Sequence, residues 1–405
     1  MNFETTCKNI SLTQFLELLD RENFTWMIKR LSGNDTGITG GHQSGIYVPR
    51  VFMEAVVPEI VRTDQYNPTM EISCYVPSHD CMKEGIQAKY YNNKYFPERN
   101  LSKKYNEFRM TCWSGTPLQD VENTGCICIL AGIHKGKTPV LICWVSRSAE
   151  EEDTIEFWLG KDIEPGRMYN SKVLDNIKEI PLFKQLPFDW LNEFPSGRDI
   201  FSFIENKVPQ ATWTRTIDDL LLKRRSIEFE VFTELERHDV LPNIKSGFQT
   251  VDEFIKYANS VSNRRKSRAG TSLELHLESI FQYEQLRFET QVVTEQNKKP
   301  DFVFPSSLAY HDPVFPELKL HMLASKTCCK DRWRQVINEA DRIKRKHLFT
   351  LQEGVSVNQL NEMYQNGIVL VVPRPILASF PAVFHNRIMD LTGFVNYIRS
   401  SQNVE

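Results

Sequence analysis

Pro300-Asp301, then Lys326, then Glu339 form the set of side chains whose types and spacing best suit a definite reaction. Hydrolysis of a phosphodiester needs a divalent cation that stabilises developing charge on the phosphate, and a water oriented for in-line attack. Magnesium takes hard oxygen ligands and keeps several of its waters, so one or two carboxylates suffice. A lysine beside them can orient the water and offset negative charge.

The elements around these residues suit the task. Leu318–Lys326 reads as a strand, and along it Leu320, Met322, Ala324 and Lys326 share a face. A long helix is predicted over Asp331–Lys346, with a buried stripe of Val336, Ile337, Ala340 and Ile343. Glu339 lies along that stripe, and an ionised carboxylate beside a buried face is costly unless paired or metal-bound. Plainer readings stay open at this point. Asp301 suits a turn after Pro300, Lys326 suits a strand end that snorkels to water, and Glu339 could pair with Arg342.

The surrounding pattern divides the chain in two. Residues 1–168 read as mainly β. Strands are predicted at Ser44–Val51, Glu71–Val76, Gly125–Gly132 and Val140–Val145, between Gly, Pro, Asn and Asp clusters. The acidic run Glu150–Asp153 reads as a solvated turn. Residues 169–183 lack a period and read as a linker. Residues 184–405 read as α/β. Helices are predicted over Thr216–Glu236, Phe248–Val261 and Ser272–Gln285. Strands are predicted at Gln291–Thr294, Asp301–Phe304 and Gly367–Val372.

Composition narrows the class. The chain has 405 residues, 41% apolar and 25% charged, which suits two soluble globular domains. The net charge of −3 gives no global attraction to nucleic acid, so any such affinity must come from local patches. Asn263–Arg268 (NRRKSR), with Arg264, Arg265 and Arg268, is one such patch. Arg342 with Lys344–Lys346 is another, and Arg224-Arg225 a third. A charge run is also how a solvated face looks. The nine cysteines include no CxxC pair and suggest free thiols in a reducing compartment. The N-terminus carries acid where a signal peptide needs base, and no stretch reaches the roughly 20 apolar residues of a membrane span. The expected location is cytoplasmic.

Longer segments carry a resemblance. Lys298–Phe302, Tyr310–Asp312, Lys326–Ile343, His347–Ser356 and Ser260–Glu278 strongly resemble the catalytic domain of the EcoRII-like type IIE restriction endonuclease family. Arg30–Pro49 and Pro117–Gly125 extend the likeness into the first half. The resemblance implies an α/β restriction-endonuclease-like domain, preceded by a mainly β DNA-binding pseudobarrel. It also implies a magnesium-dependent homodimer that cuts both strands of a CCWGG-like site, leaving 5′-phosphates. A companion DNA methyltransferase of a restriction-modification system is expected.

Asp301, Lys326 and Glu339 match the family's catalytic positions. The acidic residue two before the lysine is replaced by Ala324, and its role passes to Glu339. Tyr310 matches a tyrosine next to the site, and Lys330 is counted with the catalytic set. Glu274 matches a further acidic position for a second metal or its water, and also suits a solvent-facing helix. Lys330, Asp331 and Arg332 match the segment that reads CC:GG, where cations reach guanine O6 and N7 and a carboxylate accepts from cytosine N4. Arg225, Arg264, Arg265 and Arg268 are expected on phosphates, setting affinity rather than specificity. In the first half, His42, Tyr47, Lys103, Glu107 and Arg109 match DNA-contacting positions. Tyr105 and Phe108 stand where that family has basic residues. The resemblance further implies that the first domain competes with DNA for the catalytic cleft. A non-catalytic DNA-binding regulator and a repair nickase are the rival readings.

Overall fold

The computed structural model describes residues 10–40, 45–99, 105–135, 138–171, 185–330 and 332–403. The predicted site residues His42, Lys103 and Asp331 lie outside these, as does most of the expected linker.

Alternating apolar residues build the N-terminal sheet. Its strands are β1 (Thr25–Arg30), β2 (Ile46–Val48), β3 (Thr69–Val76), β4 (Cys81–Asn92), β5 (Asn106–Thr111), β6 (Ile127–Lys135), β7 (Thr138–Val145) and β8 (Met168–Asn170). They pair in the order β2-β5-β4-β3-β7-β6-β1-β8. Only β3 and β7 run parallel. Period-two alternation sends successive residues to two different cores. Ile28, Ile129, Ile142 and Trp144 pack with α1 (Leu12–Arg21). Met27, Leu130, Leu141 and Cys143 pack with α2 (Arg50–Val56). The acidic run does not form a turn: it opens α3 (Ala149–Leu159), where Ser148 caps the first turn and Glu150–Glu152 sit at its positive end.

In the second half, strands β9 (Glu289–Thr290), β10 (Phe302–Phe304), β11 (His321–Lys326), β12 (Lys346–Thr350), β13 (Ile368–Val372) and β14 (Met389–Asp390) lie side by side in sequence order. β9 to β11 are antiparallel and β11 to β14 parallel. Every residue of β12 and β13 is buried, as expected of parallel strands covered on both faces. The covering helices are α4 (Gly197–Lys207), α5 (Ile217–Ser246), α6 (Val251–Tyr283), α7 (Val357–Gln365) and α8 (Leu391–Asn403). Asp218, fully buried near the start of α5, accepts from the amides of Leu391 (2.9 Å) and Thr392 (3.1 Å). One carboxylate thus joins α5 to the orphan donors that open α8. No helix among the described residues is long and apolar enough to cross a membrane, and the eight described cysteines are free thiols.

Several predicted elements differ. The strand expected at Gln291–Thr294 is not formed; the pairing with β10 is made by Glu289–Thr290 just before it. The helices expected over Phe248–Val261 and Ser272–Gln285 are one continuous α6, because the basic stretch between them is helical too. The helix expected over Asp331–Lys346 stops after a single turn, Trp333–Val336. Lys346 is drawn into β12 instead. Its ammonium donates to the Ile337 carbonyl, and the amide of Asp341 donates to Glu295 Oε2 (3.1 Å). Those two backbone groups would have bonded each other in a helix. Side chains have taken both.

Buried histidines make this sheet acid-sensitive. His347, in β12, has a buried ring, and burial pushes its pKa down to about 3. Neighbouring His321 is pushed down to about 4 by burial. A depressed histidine stays neutral in the fold but protonates near pH 6.5 when unfolded. Stability is therefore full above pH 6.5 and falls as pH drops toward 4. From pH 6.5 to 5, the loss expected is about 2 kcal/mol per histidine. His347→Phe should flatten the pH dependence of the melting temperature over that interval by roughly half.

Candidate active site

Asp301 stands just before β10, whose register pairs Phe302 with Leu323 of β11. This brings the carboxylate to the end of β11. Its Oδ2 accepts from the Ser325 amide (2.7 Å), Ser325 Oγ (3.3 Å) and Lys326 Nζ (3.3 Å). Asp301 is buried and Lys326 half-buried.

Glu339 joins them from the turn that follows Val336. Its amide donates to the Val336 carbonyl (3.1 Å), and the next residue, Ala340, has φ of 51°. Burial pushes the Glu339 carboxyl above its ordinary range, and Asp301 adds to this while Lys326 opposes it. Its Oε2 is buried with no hydrogen-bond partner. Arg342 does not pair with it. The guanidinium is spent on the carbonyls of Tyr310, Asp312 and Phe315. Glu274, on α6, is likewise raised, first by burial and then by Asp301. Asp301, Glu274 and Glu339 all face Lys326, with Lys346 and Lys298 also acting on Glu339, and the unpartnered oxygen of Glu339 fits a ligand for a divalent cation. Asp301 and Glu339 supply the hard oxygens such an ion needs. Among the described residues no three carboxylate, histidine or cysteine side chains converge as a single ligand set, and Glu274 faces Asp301 and Lys326 from α6.

The first domain walls this site. The cleft is lined by Arg30, Glu152, Glu156 and Glu164 on one side, and by Glu274, Lys326, Lys330 and Arg332 on the other. Lys330 is buried, with Nζ 2.9 Å from Cys126 Sγ and 3.6 Å from Glu152. Glu164 pairs with Arg268 and, at 3.5 Å, with Arg225. Arg265 donates to the Gly160 carbonyl (2.6 Å) and to Glu236 (2.7 Å). Arg264 pairs with Asp239 (2.6 Å) and lies over Phe194. Arg224 is buried and donates to the Val208 carbonyl. The expected basic patches are therefore ion-paired and largely covered. Lys346 is buried too, so its patch loses a cation. Arg332 is exposed at the rim.

Comparison with known proteins fits this arrangement. Two family models match: "Restriction endonuclease EcoRII, N-terminal" over residues 21–174 and "EcoRII C terminal" over residues 232–395. The type II restriction enzyme EcoRII of Escherichia coli is 44% identical over 386 residues, covering 92% of this chain and 94% of that protein. The chain belongs to the EcoRII family of type II restriction endonucleases. Among solved structures, metal-depleted Ecl18kI in complex with uncleaved, modified DNA aligns at 18% identity and a TM-score of 0.44. It covers 53% of this chain and 82% of that one. Metal-depleted Ecl18kI with uncleaved DNA aligns at 18% identity and a TM-score of 0.41, covering 55% and 85%.

The remaining residues expected from the EcoRII family divide. Tyr47 is exposed and sits opposite Arg109 in the β2–β5 pair. Arg109 pairs with Glu107 at 3.3 Å on the same strand. The structure thus gathers these three. Phe108 does not belong with them. Strand alternation turns it inward, where it stacks on Tyr90 at 4.1 Å, so it removes no cation from that surface. Tyr105 does remain exposed. Tyr310 is buried, and its hydroxyl donates to Glu295 rather than to Asp301 or Glu339. Sequence reading missed Glu152 and Glu164. The acidic run was the signal for the first, but its partners lie far along the chain.

If Asp301 and Glu339 hold a divalent cation, Glu339→Gln should abolish cleavage, and Asp301→Ala should do the same. The raised Glu339 carboxyl penalises the fold only where it is ionised, above the ordinary carboxylate range. Glu339→Gln should therefore melt no lower than wild type at pH 7 to 8, and higher if the charge is the main cost. A scan across pH 5 to 8 checks this: the difference should shrink as pH falls.

Proposed function

We propose that this chain is a sequence-specific, magnesium-dependent endonuclease acting on double-stranded DNA at a CCWGG-like site, leaving 5′-phosphates. The observation that carries the reading is the buried, unpartnered oxygen of Glu339 beside the Asp301–Lys326 pair. Magnesium, when held by Asp301 and Glu339, supplies Lewis-acid stabilisation of the phosphate's developing charge. Lys326, fixed by Asp301, holds the attacking water and offsets negative charge. Ser325 locks Asp301 so that it cannot turn away. Arg332, with Lys330 and Asp331, reads base edges in the major groove. A homodimer places one such site on each strand of a near-palindrome. The N-terminal eight-stranded sheet is read as the DNA-binding pseudobarrel, with Tyr47, Glu107 and Arg109 on its contact surface. The partner enzyme is a methyltransferase protecting the same site, and both act in the cytoplasm.

The first domain also restrains the second, in the type IIE manner. Glu152 occupies Lys330, which would otherwise reach base edges, and Glu164 occupies Arg225 and Arg268, where DNA would present phosphates. Removing a competitor raises the competent population without any new contact.

Digestion of unmethylated plasmid with magnesium, followed by sequencing of the ends, tests the chemistry. Cuts at one short sequence are expected, and none with calcium or chelator. Random nicking would favour the repair-nickase reading, and binding without cleavage the regulator. The restraint makes a separate prediction. Glu152→Ala with Glu164→Ala should cut one-site plasmid faster than wild type, roughly five- to 150-fold for a typical coupling free energy. A double variant that folds and is slower would show that the first domain assists catalysis.

A further inference from the structure

We propose that Glu295 is a positioning residue that unwinds the segment carrying Glu339, and that Tyr310 acts through it. The proposal rests on the endonuclease reading of Asp301, Lys326 and Glu339.

Glu295 lies in the turn between β9 and Asp301, away from the cation and carboxylates of the site. Its two oxygens accept from the Tyr310 hydroxyl at 2.6 and 2.8 Å, and Oε2 also accepts from the Asp341 amide. Burial pushes this carboxyl up, but the bonds from Tyr310 and the Asp341 amide outweigh burial and hold it below its ordinary range. The amide it captures is the one that, in a helix running on toward Lys346, would bond to the Ile337 carbonyl. Lys346 holds that carbonyl. From the same turn, Lys298 Nζ donates to the next carbonyl, Asn338 (2.9 Å). The residues on both sides of Glu339 are therefore tied to a turn that ends at Asp301.

The turn is built for this purpose at a cost. Gln296 and Asn297 have φ of 56° and 58°, a left-handed pair without glycine. Such residues persist where surrounding contacts determine them. Thr294 closes the turn, its amide donating to the Lys298 carbonyl at 2.8 Å. Glu295 faces back toward Tyr310 and Asp341, while Asp301 follows three residues after Lys298. The distance between the two catalytic carboxylates is thus set by one short segment. Tyr310 is accounted for as well: its hydroxyl proton is committed to Glu295, and burial, followed by that hydrogen bond, pushes the phenol far above its ordinary range. It braces Glu295 and does not touch the reacting atoms.

The test uses the full-length chain with Glu295→Ala, Glu295→Gln and Tyr310→Phe. Manganese binding is read by the loss of free-ion resonance signal, with Asp301→Ala as the blank. Cleavage is titrated with magnesium, cognate duplex affinity is measured in chelator, and amide exchange is followed across residues 337–345. Outer-shell changes at metal sites typically cost about tenfold or more in metal affinity. Glu295→Ala should therefore weaken manganese binding about tenfold, raise the half-saturating magnesium by a similar factor, and speed exchange at Asp341. DNA affinity in chelator should be unchanged. Glu295→Gln keeps an acceptor oxygen for the Asp341 amide and should recover most of the loss. Tyr310→Phe, which leaves that amide bond in place, should fall between the two, and it stands in if Glu295→Ala does not fold. Wild-type metal binding and exchange in a folded Glu295→Ala would overturn the proposal while leaving the endonuclease reading intact. So would a Tyr310→Phe protein that binds manganese normally but cannot cut. A wild-type chain with no Asp301-dependent manganese site would overturn both.

Discussion

The Asp301 carboxylate is where two strands and the Lys326 ammonium meet. It takes the last amide of β11 before Lys326 and the ammonium of Lys326 itself. A hydrogen bond from a backbone amide to a carboxylate is charge-assisted and geometrically strict. The strand end, the lysine and the acid therefore move as one body. Glu274 arrives on α6 and Glu339 on its turn, and both are pushed toward protonation by burial and by Asp301. Lys326, even with Lys346 and Lys298 acting on Glu339, does not bring the Glu274 and Glu339 carboxyls back to their ordinary range. A further positive charge would be welcome there, and the packing of Asp301 against the end of β11 holds the place for it.

The interface between the two halves follows the opposite electrostatic logic. Arg225, Arg268 and Lys330 are buried, and each has a carboxylate from the first domain within ion-pair distance. Separating such pairs without replacement forfeits their mutual attraction, offset in part by rehydration of both ions. Exchange for another polyanion avoids most of that cost, because anionic oxygens succeed anionic oxygens. The interface is thus tight toward water and permissive toward phosphate. The hydrogen bonds from Gly33 N to the Glu353 carbonyl (2.9 Å) and from Arg265 to Gly160 add backbone contacts that carry no such preference.

Local pattern revealed the strands that carry Asp301 and Lys326, because buried parallel strands and their neighbours announce themselves as short apolar runs. It revealed Glu339 for a reason that was only half right. The stripe of Val336, Ala340 and Ile343 is buried as read, but the helix joining them is not there. Glu295, more than forty residues away, takes one of the amides that a longer helix would need, and no periodicity within the segment contains that information. The arginines of α6 failed in the same manner. NRRKSR reads as a solvated basic face until Glu164 and Glu236 are brought against it by tertiary packing. Phe108 was legible and misread: between Glu107 and Arg109 in an alternating strand, it had to point to the core.

Magnitudes explain why an unwound turn serves better than the helix. On a regular helix, Glu339 would follow the direction of Val336 and Ile343 into the apolar core. Holding an ionised carboxylate there without a partner costs several kcal/mol at least. Ala340 in the left-handed region costs about 1–2 kcal/mol, and the broken helix bond is made good by Glu295 and Lys346. The strained turn is the smaller of the two penalties. It keeps Val336, Ala340 and Ile343 fully or almost fully buried while freeing Glu339 to swing toward Lys326. Backbone irregularity at this point is therefore the cheapest way to put a charge at the edge of a core whose sequence pattern would otherwise have swallowed it.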